Sequence, residues 1–273
     1  MMGRQQCLSF ILLASFAFPL AAQSVTAARV QVERPDLRRF FAGSRAEGTF
    51  VLYAVKADSC IRYNPGRAKA RFLPASTYKI FNTMAALESG SIPSDSTVLK
   101  WDGIERPVQG WNQDQDMRTA FRNSTVWFYQ ELARRTGEDR LRAMMKREHY
   151  GNAEVSGGVD MFWLNGGLRI SADEQVDFLV KLNARSLGFP LWTQDLTFRI
   201  MRLEETPRYT LRGKTGWTEQ DGHQIGWLVG FVELNHETFV YALNLESPDP
   251  DFPMQTARMK ILRGVLKEVG ILE

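Results

Sequence analysis

PASTYKIF, residues 74–81, is where the chain changes texture. Upstream, TFVLYAVK (49–56) carries the β-branched and aromatic residues of a strand, and CIRYN followed by PGR reads as a short strand and a turn. From Pro74 onward, STYKIFNTMAALESG has helix formers and ends at Gly90, a stop signal. The quoted stretch therefore opens a helix, with a serine and a lysine three positions apart. Residues i and i+3 share a helix face, so hydroxyl and amine can meet. Ser76 falls in the first turn, where unpaired N–H groups and the helix dipole favour developing negative charge. That is the arrangement of a nucleophile beside its base. Lysine is costly to bury, yet Ile80 and Phe81 lead Lys79 towards the core.

Outward from this point, helices are expected over 125–135, 138–148 and 172–183. Two of them open on capping-box patterns, Thr136-Gly-Glu-Asp139 and the better match Ser171-Ala-Asp-Glu174. After about residue 206 strands return as RYTLRGKTG, HQIGWLVGFVEL and ETFVYALNLE, the last two joined at Asn235-His236 as in a hairpin. WTEQDG reads as a loop, and a final helix spans about 255–269. Strands at both ends with helices between predict an α/β fold of α+β type. Its antiparallel sheet is built from both chain ends, and a helical lobe of about 75–205 is inserted. A cleft between the two is the natural place for a site.

The bulk numbers fit one large domain: 273 residues, 44% apolar and 24% charged, with no internal repeat. Residues 1–28 differ. Arg4 precedes LSFILLASFAFPLAA, and small residues follow at Ala22, Ala27 and Ala28, which reads as a secretory signal too short for a convincing membrane span. A single catalytic domain over 29–273, exported to the periplasm, is expected. Without Arg4, the other 33 Lys and Arg nearly balance 31 acidic residues, so no electrostatic footprint for nucleic acid exists. The basic run 135–148 is interleaved with acids and reads as a solvated helix face. Cys7 lies in the signal, which leaves Cys60 alone and reads as a structural thiol. His149, His223 and His236 are scattered, without metal-site spacing.

Four further motifs follow. Lys214-Thr215-Gly216 sets a cation and a hydroxyl beside a glycine at a strand's edge, suited to binding a carboxylate, with Gly216 permitting close approach by the ligand. Ser124-Thr125-Val126 opens the helix VWFYQELARR and, alone, is an N-cap. Tyr150-Gly151-Asn152 reads as a turn after a helix, and Trp163 in DMFWLNGGLRIS as a core aromatic. S-x-x-K by itself should arise about once by chance in a chain of this length. Its weight comes from company.

In the order S-x-x-K, S-x-V, Y-G-N, F-W-L, K-T-G, these residues resemble the class D (OXA-type) serine β-lactamases from about Gly48 to Gly270. GWNQD (110–114), SGGVD (156–160) and LRIS (168–171) extend the likeness, and Arg258 stands twelve residues before Gly270, where the family carries a substrate-binding arginine. The resemblance implies a penicillin-binding-protein-like fold and a two-step acyl transfer to water. Val126 stands where related enzymes carry an asparagine, so Lys79 meets an apolar neighbour and its pKa should fall. In the family this lysine takes up CO2 from bicarbonate as a carbamate, with the Trp163 indole as donor; no other cofactor and no metal are implied. The resemblance further assigns the oxyanion to the backbone N–H groups of Ser76 and Trp217, a proton relay to Ser124, and the substrate carboxylate to Lys214, Thr215 and Arg258. Trp111, Leu164 and Met117 are read either as walls of the cleft or as core. A β-lactam-sensing or penicillin-binding domain, acylated without turnover, is the alternative.

Overall fold

In a computed structural model that describes residues 27, 28, 30–42 and 46–273, strands from both ends of the chain form one sheet. In chain order the elements are β1 (Val30–Glu33), α1 (Arg38–Ala42), β2 (Glu47–Ala54), β3 (Ser59–Tyr63), α2 (Pro65–Lys69), β4 (Arg71–Phe72), α3 (Lys79–Glu88), α4 (Met117–Arg122), α5 (Val126–Thr136), α6 (Glu138–Glu148), β5 (Ile170–Ser171), α7 (Ala172–Asn183), α8 (Leu191–Ile200), β6 (Arg202–Glu205), β7 (Tyr209–Gln220), β8 (His223–Leu234), β9 (Glu237–Ser247) and α9 (Met254–Glu268). The seven-stranded order is β1-β3-β2-β9-β8-β7-β6, so β2 and β9, far apart in sequence, lie side by side at the middle. Pairing is antiparallel except at β1–β3, which is parallel. The secretory signal expected over residues 1–28 lies outside the described residues, apart from its last two positions. Among the described residues no helix is long and apolar enough to cross a membrane.

Two hairpins set the register of the C-terminal strands. Each turns through two residues at positive φ, Asp221-Gly222 and Asn235-His236, the conformation that follows the strands' own twist. The first hairpin corrects an expectation. WTEQDG is not a loop: β7 runs on to Gln220, and only Asp-Gly turns. Trp217 is therefore a strand residue.

The sheet is covered on both faces, and alternate residues of its strands serve two cores. Val229 and Phe231 face the helices α3–α8, whereas Leu228 and Val232 pack against α9. The helix starts follow local chemistry. Ser171 and Glu174 close a full capping box on α7, as expected. No box forms at Thr136–Asp139, because the Thr136 hydroxyl donates to the Leu132 carbonyl and Gly137 breaks the helix at φ 86°. The basic run on α6 is a solvated face, with Arg142 paired to Glu138 and Arg147 to Glu88. Cys60 is buried in β3, where burial pushes its thiol up to about 12.

One buried ion pair joins the sheet to α7. Arg62 Nε on β3 donates to Asp173 Oδ1 at 2.9 Å. Burial outweighs the guanidinium, so the Asp173 pKa stays above its usual range. Asp173→Ala, which leaves the Arg62 charge without this partner, is expected to cost about 3–5 kcal/mol. Urea unfolding would register it as a lower midpoint at unchanged slope. A loss under about 1 kcal/mol would mean that the pair behaves as a surface bridge.

Candidate active site

The serine and lysine of PASTYKIF meet as their spacing predicts. Ala75–Tyr78 form a 3-10 turn that runs directly into α3, with Ser76 half-buried and Lys79 fully buried. Lys79 Nζ donates to Ser76 Oγ at 2.7 Å and lies 5.4 Å from the centre of the Tyr129 ring on α5. Asn82 and Thr83 bond to Tyr129 and lock α3 to α5, whose first residue is Val126. No carboxylate pairs with Lys79 among the described residues. Burial, and then the charge of Lys214, hold its pKa well below the ordinary lysine value.

The turn that carries Ser76 is clamped from four sides. The Leu73 N–H donates to Gln220 Oε1 at 3.1 Å, and its carbonyl accepts from Trp227 Nε1 at 2.8 Å. The Ala75 N–H donates to the Trp163 carbonyl at 2.9 Å. Thr77 Oγ1 donates to the Pro74 carbonyl at 2.7 Å and accepts from Gln175 Nε2 at 2.9 Å. Ala75 itself has φ 48°, a left-handed conformation that costs a residue with a side chain about 1–3 kcal/mol. Gly216 completes the clamp. A Cβ there would sit 2.8 Å from the Pro74 carbonyl and 3.2 Å from Thr77 Cγ2, so its missing side chain admits the Ser76 turn.

Ser124 shows a second local strain. Asn123 ends α4, the Ser124 N–H bonds to the Phe121 carbonyl and the Thr125 N–H to that of Ala120, a Schellman closure. Its left-handed position usually holds glycine, yet here Ser124 has φ 55°. The hydroxyl this retains accepts from Lys214 Nζ at 3.0 Å. Thr125 is the N-cap of α5, but its hydroxyl donates to Gln115 and gives the helix no cap.

Lys214, Thr215 and Arg258 converge along β7. Beyond Arg212, β7 has no partner on its outer side, so the residues from Lys214 onward form a free edge. Lys214 is buried over the Phe121 ring, and burial, followed by the charge of Arg258, lowers its pKa from 10.5 to about 7. Arg258 on α9 donates through Nη1 to the Gly216 carbonyl, leaves Nε without an acceptor among the described residues, and is lowered to about 10 by burial. Trp217, next on β7, has a half-exposed indole that donates to Gln224.

The remaining expected residues separate. Trp163 is fully buried, stacked on Tyr78 at 5.1 Å, and its Nε1 has no acceptor among the described residues. Asn152 bonds to the Gly167 carbonyl and accepts from the Arg169 N–H, so Tyr150-Gly151-Asn152 ties down the loop that carries Trp163. Trp111 and Leu164 are half-buried against the core, with Trp111 Nε1 donating to the Asn123 carbonyl just before Ser124. Met117 is wholly core. Thr77, Gln175 and Gln220 were not singled out by the sequence. One sign was readable: Gln175 shares a helix stripe with Leu179 and Leu182, a polar residue on an apolar face.

Residues 48–267 match the penicillin binding protein transpeptidase domain family. The chain is 39% identical over 243 residues to Beta-lactamase OXA-2 of Salmonella typhimurium, covering 88% of this chain and 86% of that one. It superposes with a TM-score of 0.83 on the class D β-lactamase YbXI from Nostoc, 42% identical, covering 86% of this chain and 99% of that one. The C-terminal domain of the Bacillus licheniformis BlaR penicillin-receptor superposes equally well, with a TM-score of 0.84 at 36% identity, over 90% of this chain and 99% of that one.

Two stability predictions follow from the strained serine and the buried lysine. Ser124→Gly should be more stable than Ser124→Ala by about 1 kcal/mol in urea unfolding, because both lose the hydroxyl and only alanine keeps the left-handed strain. The reverse order would show that the conformation is unstrained. With Lys214 lowered from 10.5 to about 7, the unfolded chain binds a proton in that window that the folded chain does not. Stability should therefore rise as pH climbs from 7 towards 10.5, and Lys214→Met should flatten the rise without abolishing it, since the lowered Lys79 acts in the same sense. Unfolding midpoints measured across that range test the slope, and an unchanged slope in the variant would rule out Lys214 as its source.

Proposed function

The chain belongs to the class D serine β-lactamases, hydrolases of β-lactams, and from that premise we propose that Ser76 is the nucleophile and that Lys79, carboxylated by CO2, is its general base. One observation carries the reading: a fully buried lysine without a carboxylate partner, its Nζ 2.7 Å from a serine hydroxyl. An ammonium is disfavoured there, which favours the neutral amine. Added to a neutral amine, CO2 gives a carbamate, an anionic base that serves both acylation and deacylation. The residues fit that group. The Trp163 N–H is a buried donor without an acceptor among the described residues, and Lys214 supplies positive charge nearby.

In this reading Ser76 Oγ attacks the strained lactam carbonyl, and the backbone N–H groups of Ser76 and Trp217 receive the oxyanion. Losing one such donor costs about 3–4 kcal/mol of barrier in acyl-transfer enzymes. Ser124, bonded to Lys214, passes a proton to the leaving nitrogen. Lys214, Thr215 and Arg258 hold the substrate carboxylate, which meets cations otherwise buried without a counter-charge. Trp111, Leu164 and Val126 border the acyl group. The signal-like sequence of residues 1–28 supports export to the periplasm.

A second reading is favoured by the likeness to the BlaR receptor domain: a sensor that is acylated and stays so. Mass spectra of the protein with penicillin over time separate the two. The enzyme reading expects an acylated species that appears and is then consumed. Turnover of a chromogenic cephalosporin should rise with bicarbonate, fall in mildly acidic buffer, and depend more steeply on bicarbonate in Trp163→Phe. Lys79→Ala should accumulate as the acyl-enzyme. Permanent acylation of the wild type after one burst would favour the sensor, and normal deacylation by Lys79→Ala would overturn the carbamate.

A further inference from the structure

A cavity of about 410 Å³ opens next to Lys214 and Thr215, between α4, α8 and the β6–β7 pair. Its walls carry four arginines: Arg118 and Arg122 from α4, Arg199 at the end of α8, and Arg202 on β6. Arg118 is engaged by Asp95, and Arg202 by Glu205. Arg122 and Arg199 have no ion-pair partner among the described residues, and both are exposed. Phe121, Leu196 and Leu203 supply an apolar floor. With Asp95 the sole acid in its lining, the cavity is cationic, concave and partly greasy. Isolated surface arginines lack the concavity and floor, and the carboxylate-binding lysine is part of the same wall.

We propose that this annex is a second acid subsite, which recognises an anionic group on the C3 arm of a cephalosporin. The inference rests on the β-lactamase reading above. In a cephalosporin the ring carboxylate is on C4 and the variable arm is on the adjacent carbon. With the carboxylate at Lys214 and Thr215, that arm leaves the ring beside the residues that open into the annex. A carboxylate at its end meets the unpaired guanidinium groups of Arg122 and Arg199, which bind carboxylates through paired N–H donors. Penicillins have no such arm and gain nothing there. The annex therefore sorts substrates by charge at a point remote from the reacting bond, and affects binding while leaving the chemical step alone.

Two cephalosporins that differ only in the end of the C3 arm, a carboxylate in one and its primary amide in the other, test the assignment. In R122Q/R199Q the KM for the acid should rise about tenfold while that for the amide moves less than about twofold, with kcat unchanged for both. R122K/R199K, which keeps the charges, should retain most of the preference. An equal change for the two substrates, or none, overturns the proposal. Inorganic phosphate separates a substrate-borne anion from a free one. Phosphate that raises the wild-type KM for the acid more than for the amide supports the subsite. Phosphate inhibition that R122Q/R199Q relieves equally for both substrates marks a free-anion site, and overturns it. Failure of the wild type to turn over either cephalosporin would instead overturn the hydrolase reading itself.

Discussion

Three cations, Lys79, Lys214 and Arg258, are buried within one small region and none has a carboxylate partner among the described residues. Burial of unpaired charge is the costliest state a side chain can occupy, and it resolves in one of two ways: the group loses its proton, or it keeps the charge and favours an anion. The two lysines lean towards the first route, Lys79 held well below the ordinary lysine value and Lys214 lowered to about 7. Arg258, which keeps its proton far above neutral pH even when lowered to about 10, takes the second. One amine held well below its ordinary value, one lowered to about 7 and one fixed cation thus arise from burial together with the repulsion between neighbouring cations.

Such a gradient requires that nothing rearrange to relieve it, and the scaffold supplies that rigidity. The turn that carries Ser76 is held by Gln220, Trp227, Trp163 and Gln175, which come from β7, β8, the loop before β5, and α7. Its contact with β7 is close enough to require a glycine at 216. Strain appears at Ala75 and Ser124, the residue preceding the nucleophile and the residue bonded to Lys214. Backbone conformations of this sort persist when the surroundings over-determine them, and here two hydrophobic cores, one on each face of the sheet, do so.

What could be read from sequence divides along the range of the interactions. The α6 and α7 boundaries and the Asn235-His236 hairpin rest on local chemistry and were legible. The two-ended sheet, a long-range pairing of β2 with β9, followed from the order of strand and helix patterns along the chain. Thr136 shows the limit of pattern: the residue types of a capping box were present, but the hydroxyl found a nearer acceptor within its own helix. Asp221-Gly222 was the stronger hairpin signal, yet the polar run before it suggested a loop, because an edge strand beside a cleft need not alternate apolar and polar residues. At the site, the ordered motifs brought Ser76, Lys79, Ser124, Lys214 and Arg258 into one neighbourhood. The packing of Gly216 against Pro74 was not legible, since Pro74 lies far away in sequence. The left-handed backbone at Ala75 and Ser124 had no trace in residue type.

The fold alone does not separate hydrolysis from permanent acylation, since a class D β-lactamase and a penicillin-receptor domain superpose on this chain with TM-scores of 0.83 and 0.84. The difference has to lie in whether a base survives acylation on the correct side of Ser76. Ser76 is half-exposed, and an acyl group arrives from the open cleft; Lys79 is wholly enclosed behind it, within 2.7 Å of the same oxygen. Acylation consumes the hydroxyl proton but leaves the apolar side of the lysine untouched, including Tyr129 on the helix that Val126 opens. The conditions that disfavour the ammonium before the first step therefore outlast it. In the proposed mechanism the base is set by the burial of Lys79 rather than by its hydrogen bond to Ser76, and so it stays available for the second step.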